Sequence, residues 1–330
     1  MDINFCDVTF TNPLMNASGC WCMKYNELSE LNNSDSAAFI SKTATLEKRL
    51  GNPEPRFKFI PNTTSSINSM GLPNEGYEYY TQYTNIFIKK PYFLSLNSFP
   101  INDLHKMLKY AVDYSVFNTN NSRQFIEINV SCPNVVGKPQ LAYDFETFEK
   151  VLDSVYQERH IIEDSHMKIG CKMPPYFDPP YFETVSNLFQ KYPIFNFITC
   201  INSLGNGLAI ESPFENINNN KLKTLIKPKE GLGGIGGGPE TKSIGLSNVY
   251  QFRKQFDKKN IDMEIIGCGG VQTGQDVIEY ICSGAKLVQV GTSLMKNGPS
   301  IFKTLNSEIE EILIKNKKYK LSDYYCYSLN

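Results

Sequence analysis

A cysteine in the stretch "NVSCPNVVGKPQ", two lysines that each close an apolar run, and two glycine-rich turns are the residues of this chain equipped for chemistry. The cysteine is Cys132, and its thiolate form would be a base or nucleophile. Lys42 and Lys172 could hold a carboxylate or the electron-rich edge of a planar ring. The turns are "GCGG", ending in Cys268–Gly270, and "VGT", ending in Gly291 and Thr292. Backbone N–H groups in turns of this kind can cradle a phosphate. Cys132 could instead be a packing residue, a metal ligand or a disulfide partner. The chain has 9 cysteines and 3 histidines, with no CxxC pair. Cys20 and Cys22 are too close for common zinc spacing. His105, His160 and His166 lie in no Gly- or Asn-rich motif. Metal and disulfide roles therefore recede, leaving packing and catalysis.

Elements must bring these residues together. Eight strand-like runs are legible: Leu14–Ala17, Ala37–Thr43, Tyr92–Asn97, Phe125–Ser131, Met167–Met173, Phe195–Asn202, Met263–Gly267 and Lys286–Gly291. Helical spacing separates most of them, as in Ile101, Leu104, Leu108, Ala111 and Val112. Ile301, Leu305, Ile309, Ile312 and Leu313 repeat it after the last strand. Strands alternating with helices predict a parallel sheet, and eight predict a (β/α)8 TIM barrel. A doubly wound sheet would want a glycine fingerprint after its first strand, and none is present. Ala44–Pro91 and Ser203–Asp262 are long connections at strand ends, predicting insertions on the C-terminal face of the strands, where barrel enzymes carry their sites. The glycine run "GLGGIGGG" is a weaker phosphate candidate than the two turns, since glycine runs often mean flexibility. The Asn-rich piece near 216–222 reads as a surface insertion. In Phe125–Ser131, Ile126, Ile128 and Val130 share one face while Glu127, Asn129 and Ser131 share the other. The polar face is expected to line the barrel lumen. No break or repeat divides the 330 residues, so a single domain, 1–330, is expected.

Composition narrows the partners. Lys plus Arg total 33 against 34 Asp plus Glu, without a basic tract, so no nucleic-acid footprint appears. No apolar run reaches membrane-spanning length. The first basic residue is Lys24, unlike a secretory or transit segment. A cytoplasmic protein with free thiols is the expectation.

Taken together, the segments "NPLMNASG", "SKTATLEKRLGNPEPR", "INSMGLPNEGYEYY", "INVSCPNVVGKPQLAYDFE", "CKMPPYFD", "FITCINSLGNGL", "IKPKEGLGGIGG", "IIGCGGVQTGQD" and "VQVGTSL" resemble the dihydroorotate dehydrogenases, in their fumarate-dependent class 1A form. They run in order over most of the chain. The resemblance implies an FMN-containing barrel, homodimeric, that oxidises dihydroorotate to orotate and returns the electrons to fumarate, giving succinate. It implies Cys132 as the catalytic base. It places Ala17, Ser18, Gly19, Lys42, Asn129, Lys172, Ile201, Gly237, Cys268, Gly269, Gly270, Gly291 and Thr292 around FMN. Lys42, Asn68, Met70, Gly71, Leu72, Asn129, Asn134, Asn202 and Ser203 would bind substrate. No metal, nucleic-acid or membrane partner is implied. Orotate alternates N–H and C=O groups around its ring, and asparagine amides can match both. Other readings are an FMN barrel acting on another dihydropyrimidine, a class 1B enzyme with an electron-transfer partner subunit, and a flavin-binding protein without catalysis.

Overall fold

The computed structural model describes residues 1–85, 88–117, 124–131, 140–211, 223–227 and 232–325. Eight parallel strands form its centre: β1 (Leu14–Asn16), β2 (Phe39–Ile40), β3 (Tyr92–Asn97), β4 (Gln124–Asn129), β5 (Lys168–Met173), β6 (Phe195–Cys200), β7 (Glu264–Cys268) and β8 (Leu287–Val290). Each of the eight runs read from the sequence supplies one strand. The ladder runs β1-β8-β7-β6-β5-β4-β3-β2, chain order read around a barrel. The seam between β1 and β2 is closed differently. Ala37 N–H donates to Leu14 O at 2.9 Å. The Asn16 amide then stands in for a strand neighbour: its Nδ2 donates to Ile40 O at 2.9 Å, and its Oδ1 accepts from Ile40 N–H at 2.8 Å. The expected second strand, Ala37–Thr43, shrinks to Phe39–Ile40, because only that pair keeps regular register with β3.

Strand alternation sorts the interior as the sequence pattern predicts. Ile126 and Ile128 are fully buried against the helical layer, while Glu127 bonds to Thr199 and Gln289 across the lumen. The lower lumen is aromatic. Phe93, Phe125 and Phe197 pack against Phe5 and Phe10 from a short N-terminal hairpin, Ile3–Phe5 with Val8–Phe10. Gly170 leaves room for this layer, since a Cβ there would lie 2.4 Å from the Phe197 ring. The hairpin has no counterpart in the sequence reading. Its three-residue strands are too short for a periodic signal.

The two long connections are structured. Helix Tyr77–Gln82 lies in the first, and the second contains helix Gly238–Lys259, the crossover between β6 and β7. They also contribute an antiparallel sheet, ordered Leu204–Gly207, Gly233–Gly237, Ser65–Asn68, Phe57–Phe59. The glycine run read as flexible is thus partly a paired strand. Its glycines are required by close approach: a Cβ on Gly233 would meet Ile67 at 2.7 Å, and one on Gly234 would meet Ser203 Oγ at 2.5 Å. The Asn-rich piece near 216–222 lies outside the described residues.

Candidate active site

The C-terminal strand ends and the inserted sheet enclose one cavity. Its first wall follows β1, with Ala17, Ser18 and Gly19 facing the space. Ala17 N–H is pinned to Val290 O at 3.1 Å, and Ser18 O accepts Thr43 N–H at 3.2 Å. That second bond and Lys42 N–H to Cys22 O, 3.1 Å, fix the backbone that carries Lys42. The Lys42 side chain is 5% exposed and lines the cavity. A Cβ on Gly19 would lie 3.6 Å from its Nζ. No described residue accepts a hydrogen bond from this ammonium. Burying an ammonium without a partner is costly, so the geometry calls for an anionic or electron-rich ligand.

Lys172 forms the floor, 3% exposed, and donates to Gln289 Oε1 at 2.7 Å. Beside it, Asn129 Nδ2 donates to Thr43 Oγ1 at 3.2 Å. Asn129 Oδ1 accepts from Ser131 N–H at 3.1 Å and from Ser131 Oγ at 3.3 Å. Asn202 Nδ2 donates to Ser131 O and Oγ at 3.1 and 3.0 Å. Two asparagines expected to touch substrate therefore clamp fully buried Ser131, the residue preceding Cys132. Ile201 and Ser203 complete this side.

The roof comes from the insertion: Asn68, Met70 and Leu72 line the cavity, with Phe57 beside them. Asn68 Nδ2 donates to Gly234 O at 3.1 Å. Gly71 is absent from the lining, because its Cα faces Asn52. At the far end, Gly237, Cys268, Gly269, Gly270, Gly291 and Thr292 all reach the cavity. Gly237 has φ of 72°, and a Cβ there would meet Thr64 O at 2.7 Å. Two hydroxyls, those of Ser66 and Thr241, join them without having been singled out in the sequence. Ser66 Oγ and Thr292 Oγ1 pair at 2.9 Å. Thr241, in the first turn of the Gly238–Lys259 helix, has a buried Oγ1 with no partner. A donor of this kind beside a helix N-terminus suits an anion.

Charge and protonation follow from burial. Burial pushes the Cys20 thiol, which lines the cavity, up to about 11, against the pull of Lys42. Burial likewise raises Cys22 and Cys200. These three are neutral packing thiols near neutral pH. Cys132 and Asn134 lie outside the described residues. Among those described, no group of His, Cys, Asp and Glu could hold a metal ion, and no helix is long and apolar enough to cross a membrane.

The sequence profile of the dihydroorotate dehydrogenase family matches residues 1–313. The chain belongs to the dihydroorotate dehydrogenase family. It is 41% identical to a protein of Streptococcus pyogenes named putative dihydroorotate dehydrogenase A (fumarate), over 96% of this chain and 94% of that one. Proteins named dihydroorotate dehydrogenase (fumarate) from Kluyveromyces lactis and Lachancea kluyveri are 41% and 43% identical, over 98% and 95% of this chain and 96% and 93% of theirs. This likeness is to the class 1A form. The crystal structure of a dihydroorotate dehydrogenase from Eimeria tenella with ferulenol superposes at TM-score 0.75. It is 17% identical and matches 99% of this chain and 88% of that one, a likeness of fold alone. The expected barrel stands on the structural likeness, and the expected enzyme of this family on the family profile and the named relatives.

What sequence reasoning missed in the dehydrogenase site is mostly polar residues inside apolar runs. Gln289 sits unremarked in "LVQV", while Glu127 in "FIEIN" reads as facing the lumen but without its partners. Such residues in a strand otherwise fit for the core were a readable signal.

Proposed function

We propose that this chain oxidises dihydroorotate to orotate in pyrimidine biosynthesis, with FMN in the cavity and fumarate as final acceptor, reduced to succinate at the same site. The family and the names of its fumarate-type relatives support the reaction. One observation carries the assignment to this cavity: two lysine ammoniums, on β5 and just past β2, face a single space rimmed by glycine turns. FMN fits this donor set. The unpartnered Thr241 hydroxyl and the Gly236–Gly237, Gly269–Gly270 and Gly291–Thr292 backbone suit its phosphate end, and Lys172 suits the electron-rich side of its ring. Bound FMN would supply a two-electron acceptor for the hydride leaving C6 of the substrate.

The chain's own residues do the rest. Cys132 takes the proton from C5, leaving the new C=C bond of orotate. Ser131, clamped by Asn129 and Asn202, fixes the root of the segment that carries this base. Lys42 holds the substrate carboxylate, while Asn68 and Asn134 reach its ring amides. Fumarate, a dicarboxylate, suits the same lysine and accepts hydride and proton in reverse order. The Met70–Leu72 roof keeps water from the reacting face. We further propose a single catalytic domain, cytoplasmic and homodimeric.

Purified protein should be yellow and should bleach anaerobically on addition of dihydroorotate, and fumarate should restore the colour. Cys132→Ala should keep the flavin and reduce it at least 100-fold more slowly, in line with loss of general base catalysis. A yellow protein that does not bleach would remove this reading.

A further inference from the structure

Beneath the cavity floor lies a polar chain that the reaction above does not use. Lys172 Nζ donates to Gln289 Oε1 at 2.7 Å, and Gln289 Nε2 donates to Glu127 Oε2 at 3.0 Å. Thr199 Oγ1 donates to the same Glu127 oxygen at 2.8 Å. Glu127, Thr199 and Gln289 are fully buried, and Glu127 Oε1 has no partner. The sense of the chain is forced. An ammonium can only donate, so Gln289 must turn its carbonyl to Lys172 and its amide N–H to Glu127.

We infer that Glu127 is the counter-charge of Lys172, coupled to it through the Gln289 amide, and that it limits how strongly the cavity floor favours a negatively charged ligand. Three observations support this. A carboxylate in a barrel core with a bare oxygen is retained only where its charge is matched. Among the described residues, the thiols whose charge would couple to Lys172 are those of Cys20 and Cys200, and burial keeps both neutral. Lys42, lining the same cavity, adds a second positive charge and no negative one. Glu127 is thus a positioning residue: it touches neither substrate nor cofactor, and acts by orienting Gln289 and offsetting Lys172.

The inference rests on the flavin reading, and the flavin itself reports on it. Lys172 would hold the electron-rich side of bound FMN, whose reduction would add negative charge there, and a carboxylate behind Lys172 would oppose that charge. Glu127→Gln has the same shape, and its carbonyl can still accept from Gln289 and Thr199, so only the charge is lost. The two-electron midpoint potential of the bound flavin should rise by about 30 mV or more near neutral pH, a tenfold shift toward the reduced form. Glu127→Met removes both charge and hydrogen bonds and should raise it in the same direction. Should one variant fail to hold flavin, the other carries the measurement. If Gln restores the wild-type potential and only Met changes it, Glu127 acts by hydrogen bonding alone and the counter-charge assignment is overturned. An unchanged or lowered potential in both overturns it as well. A wild-type protein that binds no flavin would instead refute the function proposed above.

Discussion

Asn16 makes the sharpest test of how the barrel holds its site. Its side chain is fully buried and, among the described strands, closes the only barrel seam without a regular strand pair. Replacing it with alanine strips Ile40 of both partners: its N–H loses Asn16 Oδ1 at 2.8 Å, and its C=O loses Asn16 Nδ2 at 2.9 Å. Asn16 Nδ2 also reaches Cys20 O at 3.1 Å, so the turn carrying Ser18 and Gly19 loosens too. Each buried backbone group left unpaired costs about 1–3 kcal/mol. Two such groups on Ile40 give about 2–6 kcal/mol, against a total stability of about 5–15 kcal/mol for a typical domain. Asn16→Ala should therefore lower the denaturant midpoint strongly and weaken flavin retention, because Lys42 hangs from the same turn. Chemical unfolding followed by circular dichroism and flavin fluorescence measures both. A loss below about 1 kcal/mol would refute the reasoning, since it would mean that water or a shifted backbone replaces the amide without penalty.

Two further variants probe the glycine-rich end. Asp276 caps helix Gly274–Cys282, accepting from Gln272 and Thr273 N–H at 2.8 and 2.9 Å and from Lys242 at 2.6 Å. Burial raises its carboxyl, but the Lys242 ammonium and the two N–H groups outweigh that and hold it below the usual value of 3.8. A depressed carboxyl stabilises above its unfolded value and stops doing so as pH falls through its folded one. Asp276→Asn should accordingly cost about 1–2 kcal/mol at neutral pH and nothing once the pH drops well below 3.8, read by unfolding curves across pH. A constant difference at all pH values would contradict this. Thr241→Val keeps the shape and removes the unpartnered hydroxyl. It should leave the flavin-free protein as stable as before, or more so by up to about 1 kcal/mol, while weakening flavin affinity by about 5-fold. Unchanged affinity on titration with FMN would place the hydroxyl outside the ligand's reach.

Much of this was legible in the chain before folding. All eight barrel strands announce themselves as short apolar runs, because a strand buried on both faces needs a continuous apolar stretch. The strand-end rule then put Lys42, Lys172 and the glycine turns on one rim, and there they are. The alternation in Phe125–Ser131 sent Glu127 and Asn129 inward by period two alone. Glycine was harder to read. "GLGGIGGG" looks flexible by composition, yet the crowding of Gly233 against Ile67 and of Gly234 against Ser203 makes part of it a strand. Steric demand of that kind belongs to the neighbours, not to the run itself.

The sequence by itself thus determined the order of strands, the inward faces and the polar groups available at their ends, since all of these follow from local periodicity. Only the tertiary structure decided which polar group meets which. Lys172 and Gln289 are 117 positions apart, Gln289 and Glu127 are 162 apart, and nothing in the spacing of either pair marks them as partners. The Asn16 amide acts as a strand neighbour to Ile40 only because the barrel closes there. Such pairings depend on distance through space in a dry interior, where an unmatched charge or amide is costly, and that cost appears only once the chain has closed on itself.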